Sequence, residues 1–145
     1  MAKMKLVYIC SPHEGNAFEE MRATQQYCRN AYELECLPVA PHLYLPQFLE
    51  DGVSKERDLA LRICLRLMNY CSEVWVHGER ISAGMRGEIE YAKATGKPII
   101  YIRTGKDGKE MRTVENKRKF EDVTALVDYE DMQDLIEEGI VSDLY

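Results

Sequence analysis

The sequence has 145 residues, of which 46% are hydrophobic and 30% are charged, and its net charge is −6. This length and composition predict one soluble globular domain, and the acidic balance argues against a partner that is a nucleic acid polymer. No stretch approaches the roughly 20 apolar residues of a membrane span, and the first ten residues lack a signal-peptide cleavage pattern, so we expect a cytoplasmic protein without a membrane partner.

The five cysteines predict reduced, buried thiols rather than a covalent or metal-bound framework. They lie at positions 10, 28, 36, 64 and 71, an odd number with no C-x-x-C spacing. No histidine lies at metal-ligand spacing from a pair of them. We therefore expect no disulfide framework, no metal site and no cofactor.

Four short apolar runs predict the strands of a sheet. They cover residues 5–10, 36–41, 73–78 and 97–103. Helical patterns separate them at residues 17–34, 54–71 and 82–96. This alternation predicts a three-layer α/β fold, Rossmann-like or flavodoxin-like, with a mostly parallel sheet of four to five strands and helices on both faces. Pro38 places the second strand near an edge of the sheet.

Apolar spacing also predicts which helix faces turn inward. In the first helix these residues are Met21, Thr24, Cys28 and Tyr32. In the second they are Leu59, Ile63, Leu67 and Tyr70, with Ser54 as a candidate N-cap.

The chain after residue 103 has a different character. Residues 104–119 are polar and basic, which predicts a loop or hairpin, and residues 123–127 are a possible fifth strand. Residues 129–145 have a helical pattern with only acidic charges. We treat residues 1–145 as a single domain whose core is 5–103.

The third helix carries two carboxylates with different predicted surroundings. Each helical residue advances about 100°, which puts Glu90 on the solvent side and Glu88 at the margin of the buried face, beside Gly84. The crevice of an open α/β sheet lies at the carboxyl ends of its strands, near the start of this helix. A ligand role for Glu88 and a structural pairing with a nearby arginine both stay open at this point.

Two segments, "VYICSP" and "SAGMRGEIEYAKATGKPII", together resemble the nucleoside 2-deoxyribosyltransferase superfamily. A closer likeness is to an uncharacterised branch, domain of unknown function 4406, which typically shows "ICSP", "APHL…PQFL" and "GM–E–EYA". The likeness covers residues 5–103 and implies the same α/β fold. One departure is Glu90, which stands where the superfamily has a second glycine.

The resemblance implies catalytic roles for three residues. Glu88 matches the nucleophile, and Tyr8 matches the tyrosine that orients it. Glu79 is the nearest counterpart of the acidic residue that protonates the leaving base, with His77 as another candidate donor.

The resemblance also implies a substrate-binding set around the crevice. Ser11 and Pro12 match the turn after the first strand. Ser82 and Gly84 match the helix entry where a sugar hydroxyl or 5′-phosphate is held, and the amide of Met85 is placed to help. His13 and Asn16 follow the first strand into the same crevice, although Asn16 is equally a candidate helix cap.

His42 follows the second strand and has three open interpretations. It lines the pocket, contacts another subunit, or is a loop histidine satisfied by its neighbours.

These residues predict cleavage of an N-glycosidic bond in a nucleoside or nucleotide, by an N-glycosidase or 2-deoxyribosyltransferase that forms a Glu88 glycosyl-enzyme. The alternative is a non-catalytic nucleotide-binding or sensing module that uses the same pocket. A purely structural oligomer is a third possibility. The resemblance implies a small-molecule substrate and a homo-oligomer, a dimer or larger.

Overall fold

The computed structural model describes residues 4–12, 17–50 and 52–115. Five strands form one sheet: β1 (Lys5–Cys10), β2 (Cys36–Val39), β3 (Glu73–His77), β4 (Ile99–Thr104) and β5 (Glu110–Glu115). The α-helices are α1 (Ala17–Glu33), α2 (Ser54–Asn69) and α3 (Ala83–Ala94). Two 3-10 turns, Pro41–Leu43 and Leu45–Gln47, lie between β2 and α2.

The sheet has the strand order β2-β1-β3-β4-β5. The first four strands are parallel, and β5 is antiparallel to β4. β1 and β3 are neighbours, and the next strand in the chain lies on the outer side of each: β2 beside β1 and β4 beside β3. The connections after β1 and β3 therefore run in opposite directions across the sheet. Such a reversal opens a crevice at the carboxyl ends of the strands.

The predicted three-layer α/β fold is confirmed by the two cores that flank the sheet. Val7 and Ile9 of β1 pack with residues of α1 on one face. Tyr8 and Cys10 alternate to the opposite face and pack with residues of α2 and α3. All four side chains are fully buried, which explains why a strand covered on both faces reads as one continuous apolar run.

Helix α3 follows its prediction closely. Ser82 is the N-cap, and Met85, Ile89 and Ala92 are buried on the sheet side. Gly96, just beyond the helix, has φ of 75°, a left-handed conformation in which glycine carries no Cβ penalty.

The predicted inward faces of the other two helices are partly wrong. On α1, Met21 and Tyr32 are 39% and 58% exposed, whereas Thr24 is buried as predicted. On α2, Leu59 and Tyr70 are 44% and 53% exposed. The buried residues of α2 are instead Ala60, Leu61, Cys64, Leu65, Met68 and Asn69. The buried face of α2 is therefore rotated by about one residue from the predicted face.

The predicted cap of α2 is also wrong. The helix begins at Ser54 itself, with Val53 in the capping position and no side-chain capping bond. At the other end, the Lys97 ammonium group donates hydrogen bonds to the carbonyls of Cys71 (2.8 Å) and Asn69 (3.4 Å). Lys97 therefore ties the end of α2 to the turn before β4.

The sheet edges agree in part with the sequence. β2, which contains Pro38, is an edge strand as predicted. The described part of the basic segment, residues 104–115, forms a hairpin, in which β5 is a fifth strand antiparallel to β4. The possible strand at 123–127 and the acidic segment at 129–145 lie outside the described residues. Among the helices that the structure describes, none is both long and apolar enough to cross a bilayer.

Candidate functional site

Three connections bring side chains to the carboxyl edge of the parallel strands. Ser11 follows β1, His42 lies in the turn after β2, and Ser82 begins the helix after β3. Parallel strands end at the same edge, so residues far apart in the sequence meet there.

Glu88 is buried beside His42, near this edge of the sheet. It lies in the second turn of α3 and is 1% exposed, deeper than the margin position that the helix angles predicted. Its Oε1 lies 2.8 Å from Nε2 of His42, a distance at which an imidazole N–H donates to an ionised carboxylate. A buried carboxylate requires such a donor, because an unbonded charge in an apolar interior is costly.

His42 owes its position to the turn that follows β2. Pro41 starts a 3-10 turn and is itself buried, and the His42 side chain is 8% exposed. The bond to Glu88 favours the interpretation in which His42 lines the site. The same bond also fits a loop histidine whose ring nitrogen is hydrogen-bonded by a neighbouring residue.

Two cysteines complete the surroundings of Glu88. The thiol of Cys10 donates to the Glu88 carboxylate, and both Cys10 and Cys64 are fully buried. Burial raises the pKa of Cys10 well above its usual value, and the negative charge of Glu88 raises it further. The ligand atoms of His42, Cys64 and Glu88 all lie within 4.8 Å of one another. These two cysteines could not be predicted as part of the site, since single thiols on different elements form no motif.

Tyr8 lies on the same face of β1 as Cys10. It is fully buried and belongs to the core cluster that contains Met85 and Ile89. The side chain therefore points toward α2 and α3, the side on which Glu88 is found. The hydrogen bond from Tyr8 to Glu88 that the resemblance implies stays a prediction.

The start of α3 is closed by its own cap. Ser82 Oγ accepts a hydrogen bond from the amide of Met85 at 3.3 Å, and the Ser82 amide lies 3.4 Å from Sδ of Met85. Met85 is 2% exposed, so its side chain is part of the core, whereas Gly84 is partly exposed. A phosphate held by these amides would replace the capping bonds.

Ser11 and Pro12 belong to a cavity on the α1 side of the sheet. The Ser11 hydroxyl lies 2.9 Å from that of Thr24, which itself donates to the carbonyl of Glu20. Ser11 and Pro12 line a cavity of about 160 Å³ together with α1. The α1 residues in this lining are Glu19, Glu20, Ala23, Thr24 and Tyr27. The structure therefore places Ser11 and Glu88 against different faces of the sheet.

The two candidate proton donors differ in exposure. Glu79 is exposed, in the loop that follows Gly78, whose φ of 93° turns the chain away from β3. His77 is 3% exposed and stacks on Tyr27, with ring centroids 4.0 Å apart. Burial, together with a smaller effect of Arg112, lowers the pKa of His77 to about 4, so the ring is neutral at pH 7. This makes His77 a weak proton donor.

His13 and Asn16, which the resemblance also placed in the crevice, lie outside the described residues.

A family model described as a domain of unknown function (DUF7768) matches residues 5–102. The chain belongs to the DUF7768 family. The finer likeness to domain of unknown function 4406 stays a prediction, since the model that matches is a different one. No curated protein matches the DUF7768 chain.

A solved structure resembles the DUF7768 chain over nearly its whole length. It is a 2-deoxyribosyltransferase from the psychrotolerant bacterium Bacillus psychrosaccharolyticus, described as a biocatalyst for the industrial synthesis of antiviral and antitumoral nucleosides. The match has a TM-score of 0.57 and 14% identity, and covers 97% of this chain and 98% of that one. At this identity the likeness shows a shared fold.

Proposed function

We propose that this DUF7768 protein cleaves the N-glycosidic bond of a nucleoside or nucleotide, as an N-glycosidase or a 2-deoxyribosyltransferase, with Glu88 as the nucleophile. The observation that carries the proposal is a carboxylate that is 1% exposed near the carboxyl edge of a parallel sheet, held by a histidine from another element. The fold shared with a 2-deoxyribosyltransferase supports the same chemistry.

The reaction uses a carboxylate in a defined way. Breaking the bond between C1′ and the base nitrogen builds positive charge on the sugar, and the electron pair of that bond leaves with the base. A Glu88 oxygen attacks C1′ and forms a covalent glycosyl-enzyme. Water then releases the free sugar, whereas a second base that attacks C1′ completes a transfer.

His42 is a positioning residue in this scheme. Its N–H holds Oε1 of Glu88 at 2.8 Å and so fixes the rotation of the carboxylate. A charge-assisted bond of this kind is stronger than a neutral one and restrains the side chain before substrate arrives. Tyr8 is assigned the same task from the β1 side.

The remaining roles are assigned to residues that follow β3, near the carboxyl edge of the sheet. Glu79 is exposed in the loop before α3 and serves as the acid that protonates the leaving base. Ser82, Gly84 and Met85 begin α3, where helix amides and the helix dipole favour a phosphate. Ser11 and Pro12 line the cavity on the α1 side of the sheet, away from Glu88, and receive no role in this scheme. Roles for His13 and Asn16 stay predictions.

The scheme requires movement at the site. Because Glu88 is 1% exposed, a substrate has to displace side chains that cover it before C1′ can reach the carboxylate. The burial of Glu88 favours the alternative function, a module that binds or senses a nucleotide without cleaving it. A homo-oligomeric state, a cytoplasmic location and a single domain over residues 1–145 stay predictions.

Base release from a panel of nucleosides and nucleoside monophosphates tests the proposal, with chromatography as the readout. The key variant is Glu88→Gln, and Glu90→Gln on the same helix is the matched control. Release by wild type and by Glu90→Gln, with loss in Glu88→Gln, supports the proposal. Equal release by Glu88→Gln contradicts it, and thermal stabilisation by a nucleotide that stays intact supports the binding module instead.

A further inference from the structure

Three side chains of metal-binding type meet beside α3 from three separate elements. His42 comes from the turn after β2, Cys64 from α2 and Glu88 from α3. Their ligand atoms, one from each residue, lie within 4.8 Å of one another. Zinc holds nitrogen, oxygen and sulfur ligands at about 2.0–2.3 Å, which separates the ligand atoms by roughly 3.5 Å. Side-chain shifts of about 1 Å would therefore bring the three ligand atoms within bonding distance of one zinc ion.

The donor set selects a particular class of metal. A thiolate, an imidazole and a carboxylate are ligands that Zn²⁺ prefers, whereas Mg²⁺ and Ca²⁺ are bound by oxygen atoms. The Cys64 thiolate and the Glu88 carboxylate together carry two negative charges, which balance a divalent cation. This balance matters because both side chains are almost fully buried, where an uncompensated charge is costly.

We propose that His42, Cys64 and Glu88 form a binding site for Zn²⁺. On binding, Cys64 releases its thiol proton to solvent and forms a Zn–S bond. The neutral imidazole of His42 transfers its Nε2 proton to Nδ1 by exchange with solvent, so that Nε2 and the Glu88 carboxylate replace their mutual hydrogen bond with bonds to the metal. The sequence predicted no metal site because these residues are far apart along the chain.

A bound Zn²⁺ would use the carboxylate that the proposed function assigns to C1′. Metal binding and glycosyl-enzyme formation would then exclude each other, and Zn²⁺ would inhibit base release. This consequence rests on the proposed function, whereas the metal site itself does not.

Competition with a chromophoric zinc chelator tests the site, using the full-length protein in a phosphine reductant and without nucleotide. Wild type should bind one Zn²⁺ per chain, and Cys64→Ser and Glu88→Gln should each weaken binding at least tenfold. Cys71→Ser is the matched control, since Cys71 is also fully buried and its thiol donates to the Leu67 carbonyl. It should bind like wild type. Equal affinity of wild type and Cys64→Ser, or no stoichiometric binding by wild type, overturns the site and leaves the cluster as core packing.

A second measurement needs no variant and so does not depend on folding of the substituted proteins. Wild type loaded with Co²⁺ should show a near-ultraviolet thiolate-to-metal absorption band from the Cys64 sulfur. Bound cobalt without this band would overturn the assignment of Cys64. Neither experiment includes a nucleoside, so failure of the zinc site leaves the proposed glycosidic chemistry to its own test.

Discussion

The Nε2 atom of His42 lies 2.8 Å from Oε1 of Glu88, and this bond joins the turn after β2 to the helix after β3. The two residues are distant in the sequence and meet only when α2 and α3 pack on the same face of the sheet. The bond therefore makes the local position of the carboxylate depend on the tertiary fold.

Removing the donor should destabilise the protein through the buried charge that stays behind. We expect His42→Phe to lower the free energy of unfolding by about 1–3 kcal/mol, the cost of a buried group that loses its hydrogen bond. The same substitution in a Glu88→Gln background should cost clearly less, because the amide is neutral. Urea denaturation of the four proteins measures the coupling, and an equal cost in both backgrounds would contradict a charge-assisted bond.

Lys97 should make stability increase with pH on the alkaline side. The lysine is 2% exposed, and burial lowers its pKa from the usual 10.5 to about 8, although the Cys71 thiol opposes this shift. Between pH 8 and 10.5 the unfolded chain therefore binds more protons than the folded chain, so raising the pH favours folding. We expect a gain of about 1 kcal/mol between pH 8 and 9 in wild type relative to Lys97→Met.

Titration of the Cys71 thiol limits the pH range in which the stabilities of wild type and Lys97→Met are best compared. Burial raises the pKa of its thiol to about 12, so Cys71 makes the folded state lose stability as the pH rises from 9 toward 12. Below pH 9 this contribution is small. Parallel stability profiles of wild type and Lys97→Met between pH 7 and 9 would contradict the assignment to Lys97.

His77 should make the protein sensitive to acid. Its pKa is lowered to about 4 by burial and by Arg112, whereas an unfolded histidine titrates near its ordinary value of 6.5. Unfolding therefore takes up a proton below pH 6.5, and stability should fall between pH 6.5 and 4 and then level off. His77→Phe preserves a ring against Tyr27 and should reduce this loss by about 2–3 kcal/mol, measured by denaturation at pH 7 and pH 4. An unchanged acid profile would show that other groups dominate.

Two serines at helix starts offer a matched pair. Ser82 accepts a hydrogen bond from the Met85 amide, whereas Ser54 makes no capping bond at the start of α2. We expect Ser82→Ala to cost about 1 kcal/mol and Ser54→Ala less than about 0.5 kcal/mol in thermal or chemical unfolding. Similar costs at the two positions would contradict the capping geometry.

The strands and α3 could be predicted because each has a local signal. A strand buried on both faces reads as an apolar run, as in "KLVYIC", and α3 has a serine cap and a glycine end. The face of α2 could not be assigned in the same way. Its apolar residues are spread around the helix, and the small residues Ala60 and Cys64 that face the sheet carry little pattern.

Features of the candidate site that depend on a single helix or strand could be predicted from the sequence. Glu88 could be placed near the buried face from helix angles, whereas its bond to His42 and its contact with Cys10 depend on how elements pack. Ser11 was predicted in the same crevice, but strand alternation turns it toward Thr24 on α1. Successive residues along a strand point to opposite faces of the sheet, and the resemblance did not indicate which face Ser11 takes.

Formation of a covalent bond at Glu88 is the most direct test of the proposed chemistry. The protein would be incubated with 2′-deoxy-2′-fluoro-arabinonucleosides, whose fluorine slows breakdown of a glycosyl-enzyme, and examined by intact-mass and peptide mass spectrometry. We expect one added fluorinated sugar on the peptide that contains Glu88, in wild type and Glu90→Gln and not in Glu88→Gln. Release of free base without any such adduct, or an adduct on another residue, would contradict the proposed chemistry.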